Sequence, residues 1–124
     1  MKSKIAFFAI CFIVLAVFAY FFFVQSNKPG KNDALATCIA NSGAKFYGAF
    51  WCPHCQNQKA TFGAASAKLL PYIECSAPNG KDMLPVCTEA GIQSFPTWVF
   101  PDGTRATGEQ TLEYLAEKTS CAVQ

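Results

Sequence analysis

Phe46-Tyr47-Gly48-Ala49-Phe50-Trp51-Cys52-Pro53-His54-Cys55 is the stretch on which the reading of this chain turns. Residues 45–50 are mostly apolar and read as a buried strand. Pro53 then suits the first turn of a helix, where its missing N–H costs nothing. Two cysteines three apart therefore stand at a strand-to-helix junction. The first lies at the helix N-terminus, where unpaired backbone N–H groups and the helix dipole favour a thiolate. A stabilised thiolate leaves easily, so a disulfide closed between Cys52 and Cys55 passes readily to other dithiols. The expected chemistry is thiol–disulfide exchange, with Cys52 the exposed nucleophile and Cys55, one turn in, the buried resolving thiol. Pro53 and His54 help set the redox poise, since His54 can place positive charge or a ring N–H near the Cys52 sulfur. The bland reading of His54 is an exposed residue at a helix start.

Working outward, the elements alternate. Asp33 is expected to N-cap a helix to about Ser42, with Leu35, Cys38 and Ile39 on one face and Gly43 ending it. The helix after Pro53 is expected to run to about Leu70, with Phe62 and Leu69 inward and a bend at Gly63. Strands are expected at 72–75, 97–100 and 104–107, the last two joined by a turn at Asp102-Gly103. Pro85 forces a helix near 82–90 to start late, and Thr111 caps a last helix with Leu112 and Leu115 facing in. The order βαβ, then α, then ββα implies an α/β domain whose central mixed four-stranded sheet is flanked by helices.

Residues 5–24, Ile5 to Val24, carry no charge and are almost entirely apolar. At about 1.5 Å rise per residue they span about 30 Å, the thickness of a bilayer core. A cleaved signal peptide is the competing reading, but its apolar region is usually about 7–15 residues, and a cut after Ser26 is poorly matched. The expected organisation is a short cytoplasmic N-terminus at 1–4, a transmembrane signal-anchor at 5–24, a polar linker at 25–32 and one small domain at 33–124. Lysines flank the span on both sides, so charge hardly orients it. The cysteines do: of seven, six lie beyond the span, as in a disulfide-bearing domain on the extracytoplasmic side of the cell membrane. The formal net charge of +2 arises near the span; without Lys2, Lys4, Lys28 and Lys31 there remain six basic against eight acidic residues. Nothing here points to nucleic acid.

Beside the Cys52–Cys55 pair, Cys38, Cys75, Cys87 and Cys121 allow three pairings. Pairing 75–87 would staple a loop and a short helix, and 38–121 would join the first and last helices of the domain; both are expected as structural disulfides, the rival being a second redox relay. Cys11 lies inside the apolar span and reads as a small hydrophobe.

Trp51-Cys52-Pro53-His54-Cys55, followed some forty residues later by Phe95-Pro96-Thr97, resembles the thioredoxin fold. Taken together, residues 46–55, Tyr72-Ile73-Glu74-Cys75, Phe95-Pro96-Thr97-Trp98 and Gly108-Glu109-Gln110-Thr111-Leu112 resemble more narrowly the thioredoxin-like domain often fused to bacterial vitamin K epoxide reductase homologues, over roughly residues 36–120. The resemblance implies a domain that passes disulfides to secreted proteins and is reoxidised by a membrane reductase homologue that sends the electrons to quinone. With one span, this chain looks like the separated, monomeric redox partner of such an oxidase, with no cofactor of its own. The resemblance makes Pro96 a cis-proline facing the active-site pair. A cis X-Pro bond there leaves the Phe95 backbone free to pair with an extended substrate. Thr97 follows in the same element, and Trp51 is placed at the substrate groove; Trp98 reads equally as core.

One departure stands out. Many thioredoxin-like proteins carry a buried acid six residues before the first cysteine; here that residue is Phe46. Glu74 is a possible substitute, and the departure weakens a general reductase role. A membrane-tethered disulfide reductase is the alternative reading, and an isomerase is less favoured because a small domain offers little surface to a misfolded substrate. Zinc binding would need a second ligand pair at similar spacing, and a non-catalytic binding module would not need both cysteines.

Overall fold

The computed structural model describes residues 2–26 and 28–123; Met1, Asn27 and Gln124, within the expected N-terminus, linker and domain, lie outside them. The apolar run forms helix α1 (Lys2–Ser26). Within its stretch Lys4–Gln25 an 18-residue window reaches a mean hydropathy of 2.9, and the stretch is long and apolar enough to cross a membrane.

The sheet is built on β1 (Lys45–Gly48). It pairs in parallel with β2 (Tyr72–Glu74) and antiparallel with β3 (Thr97–Val99), which forms a hairpin with β4 (Arg105–Thr107). The order β2-β1-β3-β4 is the mixed four-stranded sheet expected from the alternation of elements. Successive strand residues face opposite sides, and register aligns Phe46 with both Tyr72 and Trp98. The Phe46 and Trp98 rings stack 4.7 Å apart, and Tyr72 meets Phe46 edge-on at 5.2 Å. Against this aromatic layer pack α2 (Asp33–Asn41), α3 (Pro53–Phe62) and α5 (Leu112–Thr119), through Leu35, Ile39, Phe62 and Leu115. Tyr47 faces the other side, with Cys75, Ile92 and Cys87 of the short α4 (Pro85–Glu89).

Several local expectations need correction. Asn32, not Asp33, caps α2. The Asp33 carboxylate is engaged elsewhere, accepting from the Gly30 amide at 2.8 Å and the Ser66 hydroxyl at 2.7 Å. The Asn32 amide also donates to Ser66, so the bonded framework of the domain begins inside the expected linker. Gly63 ends α3 instead of bending it: its φ of 90° lies in the left-handed region that glycine enters freely. A separate 3-10 turn, Ser66–Leu69, follows. The break changes the facing, so Leu69 is exposed and Leu70 takes the buried place. β1 stops at Gly48, because the chain turns at 49–52 with the Cys52 amide bonded to the Ala49 carbonyl. Thr111 caps α5 as expected, its hydroxyl accepting from the Tyr114 amide.

The four structural cysteines pair as Cys38–Cys121 and Cys75–Cys87. The first ties α2 to the residue beyond α5 across 83 positions, and the second spans 12. Loop-closure entropy grows with loop length. Opening Cys38–Cys121 by paired Cys→Ser changes should lower stability by about 4–5 kcal/mol and opening Cys75–Cys87 by about 3 kcal/mol. Urea unfolding of the two double variants checks that order.

Candidate active site

Cys52 caps α3 with extended backbone, φ −78° and ψ 117°, and its sulfur accepts the Cys55 amide at 3.4 Å. Pro53 occupies the first turn, as its fixed φ and missing donor favour. Both thiols are free, and they sit within one turn of each other. Cys52 is less open than expected, at 5% exposure, and Cys55 is fully enclosed. Burial, then a hydrogen bond shared with Cys52, pushes the Cys55 thiol up to about 12; the Ala49 backbone and Lys59 pull the other way.

The Phe95–Pro96 peptide bond is cis, and Pro96 is buried. The Phe95 carbonyl lies 3.8 Å from the Cys52 sulfur. Thr97 is buried and donates its hydroxyl to the Ser94 carbonyl, so it shapes this loop from behind. Trp51 is half exposed beside the cysteines; its indole N–H donates to Ser76 and its ring meets Phe95 edge-on at 6.1 Å. Phe50 is also half exposed. Two exposed aromatic side chains thus directly precede Cys52.

His54 is placed differently from the simplest expectation. Its Nδ1 lies 2.6 Å from a Glu109 carboxylate oxygen, and Asn57 donates to the same oxygen. These two bonds hold the Glu109 carboxyl below the usual range. Glu74 is committed as well: one oxygen accepts the Phe50 and Ser76 amides, the other the Tyr72 hydroxyl. No bond from it to Cys55 is seen among the described residues, which counts against its standing in for the missing acid.

Sequence reasoning missed Gln58, Lys59 and Tyr72. Gln58 is fully buried, accepts from the Trp98 indole and the Gln110 amide, and donates to the Gln110 carbonyl. It thereby fixes the loop that carries Glu109 against α3. Its position three after Cys55, one turn on, is the only signal in the sequence. Gly48 is critical for another reason: a Cβ there would stand 2.8 Å from the Tyr72 ring and 2.9 Å from the Cys55 sulfur.

No protein-family model matches the chain. Over 99 residues, 77% of this chain, it is 46% identical to the thiol-disulfide oxidoreductase LTO1 of Arabidopsis thaliana. The chain spans about a quarter, 26%, of the length of that relative.

Two outcomes follow from this geometry. In a reduced Cys11→Ser chain, iodoacetamide should label Cys52 and spare Cys55 at pH 8, with Cys55 reacting only as the pH nears 12; peptide mass mapping reads the sites. Gly48→Ala should lower stability by about 1–3 kcal/mol through overpacking, seen as an earlier urea midpoint.

Proposed function

We propose that this chain is a thioredoxin-like thiol–disulfide oxidoreductase anchored in the cell membrane by residues 5–24. The linker at 25–32 holds its domain, 33–124, on the extracytoplasmic side. As a monomer, it donates disulfides to secreted proteins and is recharged by a quinone-linked, vitamin K epoxide reductase-like membrane oxidase. The observation that carries the reading is the pair itself: Cys52 at a helix N-terminus, Cys55 enclosed one turn on, and the Phe95 carbonyl beside the first sulfur. The relative named a thiol-disulfide oxidoreductase supports the same chemistry. The two structural disulfides support an oxidising compartment, and the mixed sheet supports the thioredoxin-like reading.

The steps balance without a cofactor. A substrate thiolate attacks the Cys52 sulfur of the Cys52–Cys55 disulfide, and Cys55 leaves and takes up a proton, as its enclosed site favours. A second substrate thiolate attacks the substrate sulfur of the mixed disulfide. The substrate disulfide forms, Cys52 leaves as a thiolate, and two electrons stay on the pair. In this reading Trp51 and the Phe95 backbone receive the incoming segment.

The helix N-terminus and the Cys55 amide stabilise charge on Cys52, which favours the reduced pair and so makes the disulfide an oxidant. A specific observation favours the second reading, a membrane-tethered reductase: the Glu109 carboxylate on His54 offsets positive charge near Cys52. A reduction potential of the Cys52–Cys55 pair near −120 to −180 mV supports donation, and one near −270 mV assigns the reductase role, by comparison with about the same values for known oxidants, isomerases and thioredoxin. Cys52→Ser should abolish oxidation of a reduced, unfolded test protein; retained turnover would remove the enzyme reading altogether.

A further inference from the structure

The exchange chemistry needs Cys55 to take up and give back a proton, yet the position expected to hold a buried acid is Phe46, and Glu74 is engaged elsewhere. Among the described residues, the groups around Cys55 leave one other charged candidate. From α3, Cys52 and Lys59 face it; β1 offers only Gly48 and Phe46; β2 offers Tyr72, with Glu74 behind it. The Lys59 ammonium sits 3.4 Å above the centre of the Tyr72 ring. That ring is pinned from both sides. Its hydroxyl donates to Glu74 at 2.9 Å, and its edge reaches the space that a side chain at Gly48 would fill, beside the Cys55 sulfur. The cation is therefore seated on a fixed aromatic face next to the pocket of the buried thiol. An open hollow of about 390 Å³, lined by Lys59, Ala67, Lys68, Leu70 and Tyr72, brings solvent to the Lys59 and Tyr72 side chains.

We propose that Lys59, seated on Tyr72, is the positioning residue that makes the Cys55 thiolate accessible, a cation serving where a buried acid is absent. This rests on the reading that the Cys52–Cys55 pair exchanges disulfides. The step concerned is resolution. With Cys52 bound to an oxidising partner in a mixed disulfide, Cys55 gives its proton to solvent and its sulfur attacks the Cys52 sulfur. The Cys52–Cys55 bond forms, the Cys52–partner bond breaks, and the partner leaves as a thiolate carrying two electrons. In that intermediate Cys52 has no charge, so its opposition to the Cys55 thiolate is gone. What remains is burial against the thiolate, with the Ala49 backbone and Lys59 for it, and of these two only Lys59 carries a charge. Lys68 shares the hollow, but it is Lys59 that sits on the Tyr72 ring.

The test uses the full chain in detergent, carrying Cys11→Ser, with the active-site pair reduced. Ellman's reagent reacts first with Cys52, releasing one thionitrobenzoate and leaving a mixed disulfide; attack by Cys55 releases the second. The rate of the second release is followed from pH 6 to 9. Lys59→Met should slow it on the order of tenfold across this range, equivalent to raising the thiol by about one pH unit. Lys59→Arg should keep the wild-type profile, since charge and ring seat are retained. Lys59→Gln, a polar replacement, should match Lys59→Met and stands in if that variant does not fold. Wild-type rates in Lys59→Met and Lys59→Gln, or a Lys59→Arg rate as slow as theirs, would overturn the inference. Failure of the unmodified pair to release the second thionitrobenzoate would instead overturn the exchange reading beneath it.

Discussion

The Cys55 amide donates to the Cys52 sulfur across the first turn of α3, and through this one bond a structural need and a reactive group become the same thing. A helix start leaves backbone donors without partners, and they are usually met by the oxygen of Ser, Thr, Asp or Asn. Here a sulfur meets one of them. The same sulfur thus starts the helix and carries a free thiol. The turn at 49–52 and Pro53 at the first helical position exist to place it.

Around that turn the packing encloses both thiols, Cys55 completely and Cys52 almost so. Cys52 touches the Phe95 carbonyl at the surface loop, and Cys55 points into the aromatic layer of Phe46, Tyr72 and Trp98. Desolvation disfavours the charged form of whichever thiol is enclosed. Gly48 sets how closely the second thiol approaches the sheet, because Cys55 and Tyr72 together fill the space where a side chain would stand. Gln58 completes the frame with satisfied hydrogen bonds to Trp98 and Gln110, so a buried amide fixes α3 against both the sheet and the loop before α5.

Much of this was legible in the chain. The order of strands and helices, the turn at Asp102-Gly103, the Thr111 cap and the late start at Pro85 all rest on near neighbours, and all appear. The errors fell where a distant partner outbid a local preference. Asp33 has the chemistry of a cap, but Gly30 and Ser66 claim its carboxylate. Leu69 fits the inward face of an unbroken helix, but Gly63 breaks it and Leu70 goes in. His54 reads as a neighbour of Cys52, yet Glu109, 55 residues away, holds its ring nitrogen.

By itself the sequence determined the strand–turn–helix that carries Cys52 and Cys55, the apolar N-terminal run, and the alternation that yields a mixed sheet, because each depends on residue types within a turn or two of one another. The near-complete enclosure of Cys52, the hold of Glu109 on His54, and the seat of Lys59 on Tyr72 were decided only by tertiary structure. Each brings together residues on different elements, and their meeting depends on strand register and on how α3 lies across β1 and β2. A local pattern names the side chains that a face presents. It does not say which distant face comes to meet them.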